Sequence, residues 1–270
     1  MKKDFEKHFQ AVVKTPLLWT DTDQISLQQL ILYRNEVPLT YSSNTHPSNL
    51  RLGKQVEYFL EQYFNQHNAI KVIDKNILIK RGKITIGELD FLIWYNNIPC
   101  HIEVVYKFYL YVPYDSDSEI DCWVGPNNND SLKEKLHKLE NKQFPLLYKP
   151  ESQKYLEQKD LYDIDIQQYT YFKGQLFLPY RSNIKVAELN KACVVGFYLL
   201  EHQLKQFEEA LFYFPSKIDW LLQPSFDVEW LNYDTFIEQI KQAKSIRKAP
   251  LCWIKSKSNV LSKVFIYFPK

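Results

Sequence analysis

Ile86-Gly-Glu-Leu-Asp-Phe-Leu-Ile-Trp-Tyr95, a short turn, and Cys100-His-Ile-Glu-Val-Val-Tyr-Lys107 decide how this chain is read. Acidic groups stand where a buried strand should be apolar. Successive strand residues face opposite sides of a sheet, so Glu88 and Asp90 share one face with Ile86 and Leu92, and Gly87, Leu89, Phe91 and Ile93 take the other. In the second strand His101, Glu103, Val105 and Lys107 fall on one face and Ile102, Val104, Tyr106 and Phe108 on the other. Asn96-Asn97 is the turn signal between them. Adjacent strands therefore present Asp90, Glu103 and Lys107 in one patch. Carboxylates are rarely buried unless paired or holding a cation, so Glu88, Asp90 and Glu103 with a lysine in an apolar hairpin read as a site. The plainer alternative is an exposed hairpin face carrying ion pairs.

Upstream of the hairpin, Leu52, Val56, Phe59, Leu60 and Tyr63 recur at spacings of three and four and predict a helix from about Asn49 to Gln66. Glu57 lies at the edge of that apolar stripe, where its carboxylate leans over the sheet the stripe covers. A boundary glutamate on an amphipathic helix is the competing reading. Ala69 to Ile79 reads as a strand that turns at Arg81-Gly82. Residues 1–49 suggest two short helices, Asp4 to Val13 and Ile25 to Tyr33, punctuated by Pro16, Pro38 and Pro47.

Downstream, Phe108 to Val112 prolongs the second hairpin strand before Pro113 stops it. Asn129 and Asp130 offer caps for a helix running to about Lys142, with Leu132, Leu136 and Leu139 inward and Gln143 at its end. An irregular stretch with Pro145 and Pro150 follows, then a strand from Ile166 to Pro179 in which Gly174 marks a turn or bulge. The order is αβββαβ. Beyond it come strands at Ala192 to Leu200 and Leu211 to Phe214, a helix from Tyr233 to Ser245, and a closing pair at Leu251 to Ile254 and Val264 to Phe268. The expected division is a helical segment 1–49, a core 50–180 and an α+β extension 181–270.

The chain has 270 residues, 45% hydrophobic and 24% charged, enough to bury a core. Its 19 Tyr, 17 Phe and 6 Trp against 6 Gly argue against low-complexity disorder. The four cysteines form no Cys-x-x-Cys pair, which suggests neither a zinc cage nor a disulfide framework and favours a reducing compartment. With no apolar signal segment and no run long enough to span a bilayer, a cytoplasmic protein without membrane association is expected. Asp115, Asp117, Glu119 and Asp121 open like a calcium loop, but Ile120 stands where the turn glycine is needed and Pro126 where the bidentate Glu belongs. They read as a solvated acidic loop. Residues 241–270 carry eight Lys or Arg and no acid, a polyanion-facing surface in which Arg247, Lys248, Lys255 and Lys257 are the candidate nucleic-acid contacts.

Gly87-Glu-Leu-Asp on one strand and His101-Ile-Glu on the next, inside αβββαβ, resemble the PD-(D/E)XK nuclease superfamily and its restriction-endonuclease-like fold, a mixed sheet flanked by helices. Over a longer stretch the chain resembles a bacterial domain-of-unknown-function family placed in that superfamily. Arg51-Leu-Gly, Lys107-Phe-Tyr-Leu, Trp123-Val-Gly-Pro-Asn, Lys173-Gly-Gln-Leu-Phe and Pro215-Ser-Lys-Ile-Asp-Trp-Leu carry that likeness. The resemblance implies Asp90 and Glu103 as metal ligands and Glu57 as the additional acid on the first helix. It expects Lys two residues after Glu103, where this sequence has Val105. Lys107 lies two further along the same face, a shift of roughly 6–7 Å, and Lys135 on the following helix is a second candidate. Gln143 matches the glutamine that relatives carry on that helix.

Phosphodiester hydrolysis needs positive charge on the phosphate oxygens and an activated water, which carboxylates supply through Mg²⁺ or Mn²⁺. The implied catalytic set is Glu57, Asp90, Glu103 and Lys107, with Glu88, His101, Lys135 and Gln143 as auxiliaries and nucleic acid, DNA ahead of RNA, as partner. A single His is more often a structural hydrogen-bonded residue than a ligand. Three readings follow in order: a divalent-metal-dependent nuclease, a nuclease fold that binds nucleic acid without cutting it, and a structural or protein-binding domain.

Overall fold

The hairpin forms as the pattern dictates. In the computed structural model, which describes residues 5–20, 22, 24–33, 39–41, 49–116 and 118–269, strand β2 (Ile84–Tyr95) pairs antiparallel with β3 (Ile98–Tyr111). Asn96 and Asn97 close the turn with φ of 50° and 64°, the left-handed pair that a two-residue hairpin needs. Gly82, at φ 60°, does the same between β1 (Ile70–Arg81) and β2. The expected helix start at Asp4, and Pro38, Pro47, Asp117 and Lys270, lie outside the described residues.

The chain divides into two compact units, residues 1–106 with 134–173, and residues 107–133 with 174–270. Strands β3 and β5 (Gln167–Pro179) each run from one unit into the other. In the first unit the strand order is β1-β2-β3-β5. Helix α2 (Leu52–Asn65) buries Val56, Phe59, Leu60, Tyr63 and Phe64, and Phe64 meets Phe91 and Tyr171 edge-on at 5.3 and 5.4 Å. On the other side Ile77, Ile79, Leu89 and Leu92 join Leu146, Leu147 and Leu156 in a second apolar cluster. Phe64 is fully buried, so truncating it should cost about 3–5 kcal/mol.

In the second unit β5 pairs parallel with β6 (Val194–Leu200), which pairs parallel with β9 (Leu261–Tyr267). Antiparallel β8 (Leu251–Lys255) and β7 (Leu211–Tyr213) complete the order β5-β6-β9-β8-β7, and β4 (Trp123–Val124) sits on the end of β3. Helix α5 (Tyr233–Ser245), capped by Asn232 accepting from Thr235 N–H, lays Phe236 and Ile240 over Phe212, Cys252, Ile254 and Val264. The fold is thus α/β with mixed strand directions and flanking helices. None of the described helices is long and apolar enough to cross a membrane.

Several expectations are corrected. Strict alternation fails after Asp90: Phe91 packs on α2, whereas Leu89 and Leu92 share the opposite cluster. Ahead of α2 only one helix forms among the described residues, α1 (Phe5–Lys14). Residues 25–33 are instead extended along β5, with Leu30 N–H donating to Thr170 and Thr170 N–H to Gln28, both at 2.8 Å. The helix expected to run to Lys142 ends early as α3 (Leu132–Lys138) and passes into a π turn, Leu139–Gln143. The stretch read as irregular holds a 3-10 segment, Phe144–Tyr148, and α4 (Pro150–Gln158), because Pro150 starts a helix rather than breaking one. Gly174 makes no turn, and β5 is continuous through it.

Candidate functional site

The carboxyls of Glu57, Glu88 and Asp90 come together in the first unit. One oxygen from each lies within 4.8 Å of the others, which matches the separation of oxygens coordinating one hard cation at roughly 2.0–2.6 Å. Helix α2 supplies Glu57 and β2 supplies the other two. Lys54, one helical turn before Glu57, reaches Glu57 and Glu88 at 2.7 Å and the Asn76 side-chain Oδ1 at 3.0 Å. Asn76 adopts φ 52° between Lys75 and Ile77 of β1, a conformation asparagine tolerates well.

Asp90 is 9% exposed and accepts from the Val104 N–H at 3.0 Å. Burial, and then the neighbouring charge of Glu103, push its carboxyl up to about 7. Glu103 is 0% exposed, and burial lifts it to about 7 against the opposing charge of Lys135. Glu57 also rises to about 7 through burial, opposed by its hydrogen bond to Lys54 and reinforced by the charge of Asp90. Three carboxyls thus sit in a space where their charges are poorly compensated, the condition in which a divalent cation binds best.

A polar chain fixes Glu103. One of its oxygens accepts from His101 Nε2 at 3.0 Å and the other from the Gln143 amide. Gln143 in turn accepts from Lys135 Nζ at 2.8 Å. The Gln168 amide donates to the Phe144 carbonyl at 2.9 Å and meets His101 Nδ1 at 3.0 Å. Since a carbonyl only accepts, the Gln168 nitrogen must face both, which makes Nδ1 an acceptor and leaves the imidazole proton on Nε2, toward Glu103. Burial holds the ring neutral, pulling its pKa down to about 4. His101 therefore orients the carboxylate rather than ligating a cation. The π turn is what swings Gln143 toward Glu103, since its extra residue per turn rotates the end of the helix.

The structure thus unites Glu57, Glu88, Asp90, His101, Glu103, Lys135 and Gln143. Lys107 is outside this network: it lies in the second unit with its ammonium on the Asp130 carboxylate. Of the basic stretch, Arg247 and Lys248 line a cleft with Asn127 to Asn129. Lys255 lies over the Trp230 ring at 5.4 Å, and Lys257 pairs with Glu209 at 2.7 Å. Lys263, counted with that surface in the sequence, is interior at 1% exposure. The acidic loop is not free solvent-facing charge either. Asp121 takes Ser116 and Lys133, and Glu119 accepts the backbone N–H groups of Ala187 and Glu188.

Sequence reasoning missed Lys54, Asn76 and Gln168. Only Lys54 carried a signal, its position three residues before Glu57 on the same helix face. Neither the curated proteins nor the solved structures gave a match to the chain. The domain of unknown function DUF1853 matches residues 5–264, nearly the whole length, and the chain belongs to that family.

Proposed function

We propose that this protein is a divalent-metal-dependent nuclease with a restriction-endonuclease-like core of the PD-(D/E)XK type, hydrolysing phosphodiester bonds in DNA or RNA. The observation that carries the reading is the convergence of half-buried Glu57 with buried Asp90 and Glu103, Lys135 beside them. The order α2-β1-β2-β3-β4-α3-α4-β5, with β5 next to β3, supports the core. Bound Mg²⁺ or Mn²⁺ would place positive charge on the phosphate oxygens and lower the pKa of a nearby water. Asp90, Glu57 and Glu88 offer the oxygens that would hold it, and Glu103, steadied by His101 and Gln143, completes the set. Lys135 fills the lysine role better than Lys107 does, because its charge acts on Asp90 and Glu103 directly. Anchored to Gln143, it presents a cation to the developing charge on the scissile phosphate.

One observation favours a second reading, a nuclease fold that binds nucleic acid or a protein without cutting. Val105 stands where the superfamily lysine is expected, and Lys107 is engaged by Asp130. Incubation of single- and double-stranded DNA and RNA with the protein and Mg²⁺ or Mn²⁺ separates the two. The nuclease reading expects cation-dependent cleavage that drops by at least about 100-fold in Glu103→Gln and in Lys135→Met. Cation binding without cleavage of any substrate would establish the second reading.

A further inference from the structure

Lys54 stands where the oxygens of the carboxyl cluster converge. Its ammonium has three N–H donors, and three oxygens from three elements meet them: Glu57 Oε2 on α2 and Glu88 Oε1 on β2, both at 2.7 Å, and Asn76 Oδ1 on β1 at 3.0 Å. The donors are then filled, and none remains for Asp90. Yet Asp90, 9% exposed, brings a carboxylate oxygen within 4.8 Å of one from Glu57 and one from Glu88. Its Oδ2 accepts from the Val104 N–H. Four side chains thus bring oxygen to one place, and the lysine serves three of them.

Carboxylate and amide oxygens are also what a hard divalent cation takes, and such an ion accepts six or more of them where an ammonium stops at three. Asn76 holds φ 52°, a backbone conformation that few residues other than glycine keep as readily as asparagine. Lys54 has a way out of the cluster. Its side chain is 42% exposed, against 16% for Glu57 and 30% for Glu88, and its flexible four-carbon stem can carry the ammonium into water while the shorter acidic side chains stay in place. We propose that Lys54 and a divalent cation compete for one set of oxygens, those of Glu57, Glu88 and Asn76, with Asp90 serving the cation alone. Lys54 thereby sets the concentration at which the cation enters, and Asn76 Oδ1 joins the carboxylates as a neutral ligand. The inference rests on the reading of the cluster as a cation site.

Mn²⁺ titration calorimetry on the full chain, together with limited acetylation of its lysines followed by mass spectrometry, tests the competition. Lys54→Met keeps the stem and removes the ammonium. Lys75→Met removes an equal charge from the residue beside Asn76, where Lys75 pairs with Glu61 of α2. Mn²⁺ should bind Lys54→Met at least about threefold more tightly than it binds the wild type or Lys75→Met. Asn76→Gly tolerates the positive φ and deletes the amide oxygen, so it should weaken binding at least about threefold in both the wild-type and the Lys54→Met backgrounds. Saturating Mn²⁺ should speed acetylation of Lys54 relative to Lys75, because the displaced ammonium reaches solvent. Equal affinity of the wild type and Lys54→Met, or Lys54 labelling that does not respond to Mn²⁺, would overturn the competition while the cation reading of the cluster stands. Absence of Mn²⁺ binding by both proteins would overturn the two together.

Discussion

Each unit buries ionisable groups, and the two solve the problem in opposite ways. In the second unit Lys263 lies on β9 at 1% exposure. Its ammonium has three N–H donors, and three oxygens meet them: Gln175 Oε1 at 2.6 Å, the Trp220 carbonyl at 2.5 Å and the Leu222 carbonyl at 2.7 Å. Gly196 on the adjacent strand leaves room for this, since a Cβ there would strike the Lys263 carbonyl. In the first unit Asp90, Glu103 and Glu57 are gathered with Lys54 and Lys135 at the margin, and all three carboxyls are pushed up to about 7. A buried charge whose hydrogen-bonding capacity is filled by fixed backbone is a structural part. One left short of compensation is a place for something else to bind.

The largest effect expected from this contrast is at the satisfied site. Lys263→Met keeps the stem but strands three buried acceptors, and should lower stability in urea by about 3–5 kcal/mol. Burial also pulls the Lys263 pKa down to about 7 from 10.5, and the three acceptors oppose that pull. An unfolded lysine keeps its proton to higher pH than the folded one, so this group makes stability rise with pH between those values. The rise should vanish in Lys263→Met. A variant as stable as the wild type would mean that the three oxygens find other partners and that the contrast is false.

Removing charge from the under-compensated site should do the reverse. Asp90→Asn keeps the shape and the acceptor for Val104 N–H, and should stabilise the cation-free protein at pH 8 by about 2 kcal/mol. The direction follows from the protons. Unfolded Asp90 ionises near 3.8 and the folded residue near 7, so in between the native state holds the extra proton. Stability contributed by the protonated form is complete below 3.8 and is lost as pH rises through about 7. Thermal melts across this range should therefore slope less in Asp90→Asn than in the wild type. A destabilised variant with an unchanged slope would place Asp90 with the structural charges.

Legibility in the sequence follows the same division. The hairpin was readable because its alternation and the Asn96-Asn97 turn agree, and α2 because its apolar residues recur at helical spacing. Residues 25–33 were not, since Ile25, Leu27 and Leu30 suit a helix as well as a strand and only pairing with β5 decides. Gln29 shows the tertiary origin of that choice, its side chain reading both the N–H and the carbonyl of Phe172. Asp90, Glu103 and Glu57 were legible as acids in apolar patterns. Gln143 reaches the site at the end of a π turn, which no local pattern announces, and Lys135 reaches it from α3 by its bond to Gln143. Lys263 sits in a basic tail whose composition gave no hint that one of its members is interior.

The smallest effect belongs to Lys54. Burial works against its charge, but hydrogen bonds to Glu57 and Glu88 outweigh this and raise its pKa. Its side chain is nonetheless 42% exposed, so Lys54→Met should change stability by no more than about 0.5 kcal/mol. A loss several times larger in urea would make Lys54 the true counter-ion of the cluster, and the carboxyls better compensated than the contrast requires.

Proton release measures most directly whether the first unit's carboxyls take a cation, as proposed. Mn²⁺ titration at pH 6.5, run in two buffers of different ionisation enthalpy, gives both affinity and the number of protons expelled. Carboxyls held near 7 are largely protonated at that pH, so binding should release about one to two protons, fewer in Asp90→Asn with weaker affinity. Absence of Mn²⁺ binding, or binding with no proton release and no response to Asp90→Asn, would contradict the account.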